Sequence, residues 1–164
     1  MKIYYYFQLA VVFFLTACGG KNQEGNSVLN TFSNTVDTIF KKSEFENGTN
    51  VKAYVVIPNT GCSGCISSAE TLLKTYITRK LPVRFLLTSI NSYKVLKMKL
   101  GDSIVLNKNV YADVNNQIYK TNDSLLQYYP VIFYMDKSKR LTKYEYVEPD
   151  NPDALSHLYQ HVKM

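Results

Sequence analysis

The amino-acid sequence predicts an α/β fold built on a mixed, mainly parallel sheet with helices on both faces. The first indication is an alternation of short apolar runs, typical of buried strands, with longer segments of helical periodicity. The second is a predicted antiparallel hairpin followed by a closing helix at the end of the chain. Strands separated by helices imply parallel pairing, whereas the hairpin adds an antiparallel edge. The 164 residues leave room for one such domain with appendages.

Residues 1–17 have the pattern of an export signal. Lys2 supplies a positive start, an apolar run extends from Ile3 to Phe14, and small residues precede Cys18. This run is shorter than the roughly 20 residues that a membrane-spanning helix needs. Leu15-Thr16-Ala17-Cys18 resembles a bacterial lipobox, which implies cleavage before the cysteine and lipid on its thiol. The alternative is an ordinary secretory signal with an incidental cysteine.

Residues 18–30 are polar and contain glycine, so we predict a flexible tether after the lipidated Cys18. The domain is predicted to cover residues 31–164 and to begin with an amphipathic helix over residues 31–42. Polar and β-branched residues in this segment favour packing on the domain over lying on a membrane. Its apolar side chains recur at helical spacing, namely Phe32, Val36, Ile39 and Phe40.

The remaining elements are predicted from apolar runs and from helix and turn signals. Asn151 is the expected N-cap of the last helix, because Pro152 suits the first helical position. The predicted elements are a turn over 46–50, a strand over 51–57, a helix over 66–79, a strand over 83–87, a helix over 89–100 closed by Gly101, a short strand within 105–112, a turn or helical piece over 124–129, a strand over 131–135, its hairpin partner over 141–147, and a helix over 151–163.

Two cysteines lie at the junction of the strand over 51–57 and the helix that follows it. They belong to the sequence Gly61-Cys62-Ser63-Gly64-Cys65, and this spacing lets both sulfurs reach disulfide distance within one turn. The positive end of the helix would stabilise a thiolate at Cys62. The chain has three cysteines. Because the thiol of Cys18 is assigned to lipidation, Cys62 and Cys65 form the candidate redox pair.

A strand, a dithiol opening a helix, and Tyr129-Pro130 before a strand and hairpin resemble the thioredoxin-like superfamily over about residues 51–164. The lipid signal makes the chain most similar to exported thiol–disulfide oxidoreductases of the TlpA/ResA kind. The resemblance implies a thioredoxin-like three-layer sandwich. It also implies that Cys62 is the exposed nucleophile, Cys65 the buried resolving cysteine, and Pro130 a cis proline beside them.

By the same resemblance, the substrate groove would be formed by Gly61, Ser63, Gly64 and Tyr129. The implied activity is thiol–disulfide exchange with protein thiols or disulfides in the bacterial cell envelope, either in the periplasm or at the cell surface. No cofactor is expected besides the redox-active disulfide, and the lipid on Cys18 would hold the protein on a membrane. The formal net charge of +6 is scattered along the chain and accompanies no nucleic-acid motif, so no nucleic-acid partner is predicted.

Three positions differ from the common thioredoxin pattern. Val56 stands where many thioredoxins carry a buried, proton-relaying Asp, and Gly61 stands where a Trp usually precedes the first cysteine. The residues between the cysteines are Ser63 and Gly64 rather than Gly-Pro or Pro-His. Exchange needs the two thiols and access to them, so these differences affect the expected redox potential more than the expected chemistry.

Two alternatives remain open for the dithiol. One is a static disulfide in a redox-inactive lipoprotein that serves as a binding or assembly module, because disulfides form readily in exported proteins. The other is a zinc site, because His157 and His161 share one helix face and would complete a set of four ligands with Cys62 and Cys65. The gap between the two pairs is much longer than in compact zinc modules.

Overall fold

The computed structural model describes residues 21–40, 50–121 and 128–163. The predicted export signal, Cys18, most of the turn over 46–50 and residues 124–127 lie outside these ranges. The helices and strands of the described residues are α1 (Lys21–Phe40), β1 (Ala53–Pro58), α2 (Ser63–Arg79), β2 (Val83–Thr88), α3 (Tyr93–Leu100), α4 (Asp102–Val105), β3 (Val110–Ala112), α5 (Gln117–Thr121), β4 (Val131–Met135), β5 (Leu141–Tyr146) and α6 (Ala154–Lys163).

A five-stranded mixed sheet has the order β3-β2-β1-β4-β5. β1 pairs in parallel with β2, and β2 pairs in parallel with β3. β4 is antiparallel to both β1 and β5. The predicted α/β class, the mixed sheet and the late hairpin are therefore confirmed. The sheet is not mainly parallel by pairing, because the hairpin strand β4 lies beside the central strand and makes two of the four pairings antiparallel.

Helices cover both faces of the sheet, so the fold is an α/β sandwich. Successive side chains of a strand point to opposite faces. In β1, Val55 and Ile57 therefore enter one core cluster, whereas Tyr54 and Val56 enter the other. The first cluster is completed by α2, α3, α4 and α6. The second is completed by α1 and α5.

Helix α1 begins at Lys21, ten residues earlier than predicted. The tether prediction is therefore wrong for residues 21–30. Val28 and Leu29 lie about one turn before Phe32 and pack against the same core cluster. Partial burial of two aliphatic side chains stabilises the helix by on the order of 1 kcal/mol each, which exceeds the roughly 1 kcal/mol cost of Gly25 within the helix. No helix of the described residues is long and apolar enough to cross a membrane.

Two predicted helix ends have different outcomes. Gly101 ends α3 as predicted: it has a positive φ of 90°, and its N–H donates to the carbonyl of Lys97 at 2.8 Å. The predicted N-cap of the last helix is wrong, because α6 begins at Ala154. The Asn151 side-chain amide instead donates to the carbonyl of Tyr146 at 3.2 Å, and this contact ties the segment before α6 to the end of β5.

Replacing Phe32 with alanine tests whether α1 is a structural part of the domain. The Phe32 ring is fully buried and stacks on Phe133 with 3.6 Å between ring centroids. Phe32→Ala should lower the free energy of unfolding by about 3–5 kcal/mol, because it removes this contact and leaves a cavity. Urea unfolding measures the change. Asn34→Ala, on the exposed side of α1, is the control and should change stability by less than about 0.5 kcal/mol. Similar small losses in both variants would contradict the docking of α1.

Candidate functional site

The dithiol loop lies at the carboxyl end of the central strand. β1 ends at Pro58 and α2 begins at Ser63. The N–H of Asn59 donates to the carbonyl of Thr88, the last residue of β2, at 2.9 Å. This bond holds the start of the loop against the neighbouring strand. The cysteines therefore occupy the edge where parallel strands end, which is where open α/β sheets form their binding crevices.

Cys62 and Cys65 are joined by a disulfide, and Cys62 is also the N-cap of α2. Its Sγ accepts the N–H of Cys65 at 3.3 Å, and its carbonyl accepts the N–H of Ile66 at 2.9 Å. A cap satisfies backbone N–H groups that lack a partner inside the helix. This explains why α2 begins three residues before the Ile66 predicted from apolar periodicity. Cys62 is partly exposed, whereas Cys65 is buried.

The charge around the disulfide favours a negative group. Residues 59–68 include no charged side chain, so none of these residues places a carboxylate at the positive end of α2. The helix is 17 residues long, and Cys62 lies directly before its first turn. Ser63 and Gly64 are exposed, and a Cβ added at Gly64 would meet no atom within 4 Å. The site can therefore stabilise a thiolate and is open to a partner molecule.

Gly61 fits a position that a residue with a side chain cannot occupy without strain. Its φ is +127°, and a Cβ placed on it would collide with the backbone carbonyl of Tyr128. The next residue, Cys62, donates its N–H to the same carbonyl at 2.9 Å. The segment before β4 therefore rests directly on the dithiol loop. This close approach accounts for the glycine directly before Cys62.

Pro130 is buried, and its carbonyl accepts the N–H of Val147 at 2.8 Å. Among the described residues no peptide bond is cis, so the predicted cis bond before Pro130 is wrong. Trans is the more stable form of an X–Pro bond by about 0.5–1 kcal/mol. The segment before β4 contacts the dithiol loop through the carbonyl of Tyr128. The sequence-based prediction did not include this backbone contact, for which the only signal is the position of Tyr128 two residues before Pro130.

Three tyrosine rings contact one another in a row that begins at Tyr128, whose carbonyl accepts the N–H of Cys62. Tyr128 is 65% exposed, and its ring centroid is 6.2 Å from that of Tyr129. Tyr129 is half-buried and contacts Tyr146 edge-on at 6.5 Å. Burial is the main cause that raises the pKa of Tyr146 to about 12, and nearby Tyr144 and Glu148 contribute to the rise. An uncharged aromatic row therefore begins at the residue whose backbone contacts Cys62.

Val56, which the resemblance aligns with the buried Asp of many thioredoxins, is fully buried in the apolar cluster under α1. A different buried carboxylate, Asp113, follows β3. It accepts the N–H groups of Gln117 and Ile118 at 2.8 and 2.7 Å, and the hydroxyl of Thr88 at 3.3 Å. Asp113 thus caps α5 and braces the ends of β2 and β3. In the sequence, the signal for the capping role of Asp113 is an Asp shortly before a helix, and the prediction did not include this role.

The structure does not assemble the four residues of the zinc alternative. His161 Nε2 lies 3.2 Å from the carbonyl of Lys52 and 3.1 Å from that of Met135, at the start of β1. Cys62 follows the other end of β1, which at about 3.3 Å per residue is about 20 Å away. His157 contacts Glu145 at 3.2 Å. The described ranges contain no group of three or more His, Cys, Asp or Glu that could hold a metal.

No protein-family model matches the chain, and no curated protein is significantly similar to it. The described residues define an α/β sandwich protein with a disulfide at the N-terminus of a helix, at the carboxyl edge of a mixed sheet. A function therefore has to be inferred from this geometry and from the sequence motifs.

Substituting the two loop glycines tests the contact between the dithiol loop and Tyr128. Gly61→Ala should lower the free energy of unfolding by about 1–3 kcal/mol, because alanine disfavours the positive φ and collides with the Tyr128 carbonyl. It should also accelerate hydrogen exchange of the Cys62 amide. Gly64→Ala is the matched control and should be neutral or stabilising by up to about 1 kcal/mol, because its helical position is open. Equal effects of the two substitutions on stability and exchange would contradict this account.

Proposed function

We propose that the protein is a thiol–disulfide oxidoreductase whose Cys62–Cys65 pair cycles between disulfide and dithiol. The observation that carries this proposal is the position of Cys62 as N-cap of a 17-residue helix. Cys62 is partly exposed, its sulfur accepts a backbone N–H, and the first helical turn has no acidic residue to oppose a thiolate. A stabilised, accessible thiolate is what exchange with a partner disulfide requires.

We also propose that the fold is thioredoxin-like. Support comes from a dithiol that follows the central strand of a mixed five-stranded sheet, with helices on both faces. Further support is the backbone contact between Cys62 and the segment that leads through Tyr129 and Pro130 into β4. The trans bond before Pro130 differs from the resemblance.

The proposed reaction conserves atoms and electrons through two exchanges. The Cys62 thiolate attacks one sulfur of a substrate disulfide, which forms a mixed disulfide and releases the other substrate sulfur as a thiolate. The Cys65 thiolate then attacks the Cys62 sulfur, which forms the intramolecular disulfide and releases the second substrate thiolate. The substrate gains two electrons and the protein loses two. The reverse sequence oxidises a substrate dithiol.

The roles of the two cysteines follow from their burial. Cys62 is partly exposed and can meet a substrate sulfur, whereas Cys65 is 8% exposed and bonded to Cys62. Ser63 and Gly64 are exposed next to them, and Tyr128, which precedes Tyr129, contacts the loop through its carbonyl. We assign these four residues and Gly61 to the surface that receives the substrate chain.

Single cysteine substitutions test the exchange. Cys65→Ser should accumulate mixed disulfides with partner proteins, because Cys62 can attack but nothing resolves the intermediate. Cys62→Ser should form far fewer, and both substitutions should abolish turnover of a model protein disulfide. Alkylation trapping and non-reducing electrophoresis measure the adducts, with Cys62→Ser/Cys65→Ser as the blank. If neither variant forms adducts and the wild-type disulfide does not equilibrate with a glutathione buffer, the pair is a static staple and the proposal fails.

We further propose that the protein is exported and lipid-anchored through Cys18, and that it acts on protein thiols or disulfides of the bacterial cell envelope. The support is the sequence Leu15-Thr16-Ala17-Cys18 after a short apolar run.

Cys18→Ser should abolish incorporation of labelled fatty acid and move the protein out of the detergent phase. Cys62→Ser is the matched control and should keep the label. Labelling that survives in Cys18→Ser would refute the anchor.

A further inference from the structure

Ser89 has a strained backbone conformation next to the dithiol loop. Its φ is 56°, in the left-handed region that disfavours any residue with a side chain. Three other non-glycine residues of the described ranges have a positive φ. Lys80 is the C-cap of α2, Asn116 directly precedes α5, and Lys139 lies in the β4–β5 turn. These three are partly or fully exposed, whereas Ser89 is buried and directly follows the last residue of β2.

The side chain of Ser89 adds a second cost. Its hydroxyl oxygen is buried, and no hydrogen-bond partner for it lies within the described part of the chain. A buried hydroxyl without a partner destabilises a fold by at least as much as a typical hydrogen bond stabilises it. Glycine would allow the same turn without the backbone strain and without this hydroxyl. The need for a turn therefore does not account for a serine at this position.

Two hydrogen bonds fix the backbone on either side of Ser89. The carbonyl of Thr88 accepts the N–H of Asn59, the first residue after β1, at 2.9 Å. The carbon of this carbonyl is bonded directly to the Ser89 nitrogen, so Ser89 is adjacent to the start of the dithiol loop. On the other side, the N–H of Ile90 donates to Asn116 Oδ1 at 3.0 Å. Because Ser89 is held in this way, a partner for its hydroxyl has to approach it.

Ser89 and Cys65 lie beside the same core cluster, at the carboxyl end of the parallel strands. Ile90, which follows Ser89, belongs to the first cluster, and so does Ile66, which follows Cys65. Cys65 is buried, and its sulfur is bonded to that of Cys62. Reduction breaks this bond and leaves a buried thiol or thiolate, which is stabilised by a hydrogen-bond donor. The Ser89 hydroxyl is a buried donor in the same region.

We propose that the Ser89 hydroxyl donates a hydrogen bond to the Cys65 sulfur in the reduced protein. The hydroxyl has no partner while the disulfide is closed, and it gains one when the Cys65 sulfur separates from that of Cys62 and turns toward the end of β2. The hydrogen bond stabilises the dithiol form and orients the Cys65 sulfur. This role rests on the proposed exchange activity, and it makes the pair a stronger oxidant, because a stabilised reduced form favours reduction.

The equilibrium between dithiol and disulfide in a glutathione buffer tests this role. Two glutathione thiols give up two electrons and two protons to the protein disulfide and join as glutathione disulfide. Ser89→Ala should shift the equilibrium constant about tenfold toward the protein disulfide, as expected for the loss of one buried hydrogen bond. Ser68→Ala, at an exposed position of α2, is the matched control and should change the constant by less than about twofold. An unchanged constant in Ser89→Ala, or a shift toward the dithiol, would overturn the proposal.

Urea unfolding of the oxidised and reduced forms separates the hydroxyl from the backbone. In the oxidised form, Ser89→Ala should leave stability unchanged or raise it, because an unpaired buried hydroxyl is removed. In the form reduced with dithiothreitol, the same substitution should lower stability. Ser89→Gly also relieves the backbone strain, so it should raise the stability of the oxidised form and shift the glutathione equilibrium as Ser89→Ala does. Equal changes in the two forms would mean that Ser89 has a structural role alone.

Single-cysteine backgrounds identify the sulfur that accepts the hydrogen bond. In Cys62→Ala the Cys65 thiol remains, so adding Ser89→Ala should lower stability. In Cys65→Ala the acceptor is absent, so adding Ser89→Ala should be neutral or stabilising. These measurements need no partner protein, so they give a result even if Cys62 forms no mixed disulfides. Mixed disulfides together with equal effects of Ser89→Ala in the two backgrounds would support the exchange activity and refute the role of Ser89.

Discussion

The burial of β1 on both faces is the constraint on which the rest of the structure depends. All six residues of this strand are buried, and its alternating side chains supply two separate core clusters. A strand in this position needs a helix layer on each side, because apolar surface left in water on either face would cost about 25 cal/mol per Å². At the carboxyl end of β1 the chain leaves the core and reaches the surface. The disulfide lies there, in the loop that follows this fully buried strand.

Positioning of the dithiol depends on backbone groups more than on side chains. Cys62 donates to the carbonyl of Tyr128 and, through its sulfur, accepts the N–H of Cys65. Gly61 permits the first contact because it has no Cβ and a positive φ. A larger residue would push the segment before β4 away from the loop. The glycine before Cys62 thus has a local steric cause, and Tyr128, whose carbonyl meets it, is an exposed aromatic residue.

Two regions with different chemistry lie at opposite ends of the sheet. At the disulfide end, residues 59–68 carry no charged side chain, and the carbonyl of Tyr128 contacts the loop at Cys62. At the other end, a cavity has Lys80, Leu81 and Lys108 among its lining residues. The central strands β1 and β2 connect the two regions, and the same two core clusters support both.

The sequence by itself determined the features that rest on neighbouring residues. Apolar runs predicted β1 and β2, a turn-linked pair of runs predicted the β4–β5 hairpin, and Gly101 predicted the end of α3. The spacing of Cys62 and Cys65 predicted their disulfide. The tertiary structure decided the helical state of residues 21–30, the trans bond before Pro130, the contact of Tyr128 with Cys62, and the separation of His161 from the cysteines. These features depend on contacts between residues far apart in the chain, and a local pattern carries no information about which distant surface a segment will meet.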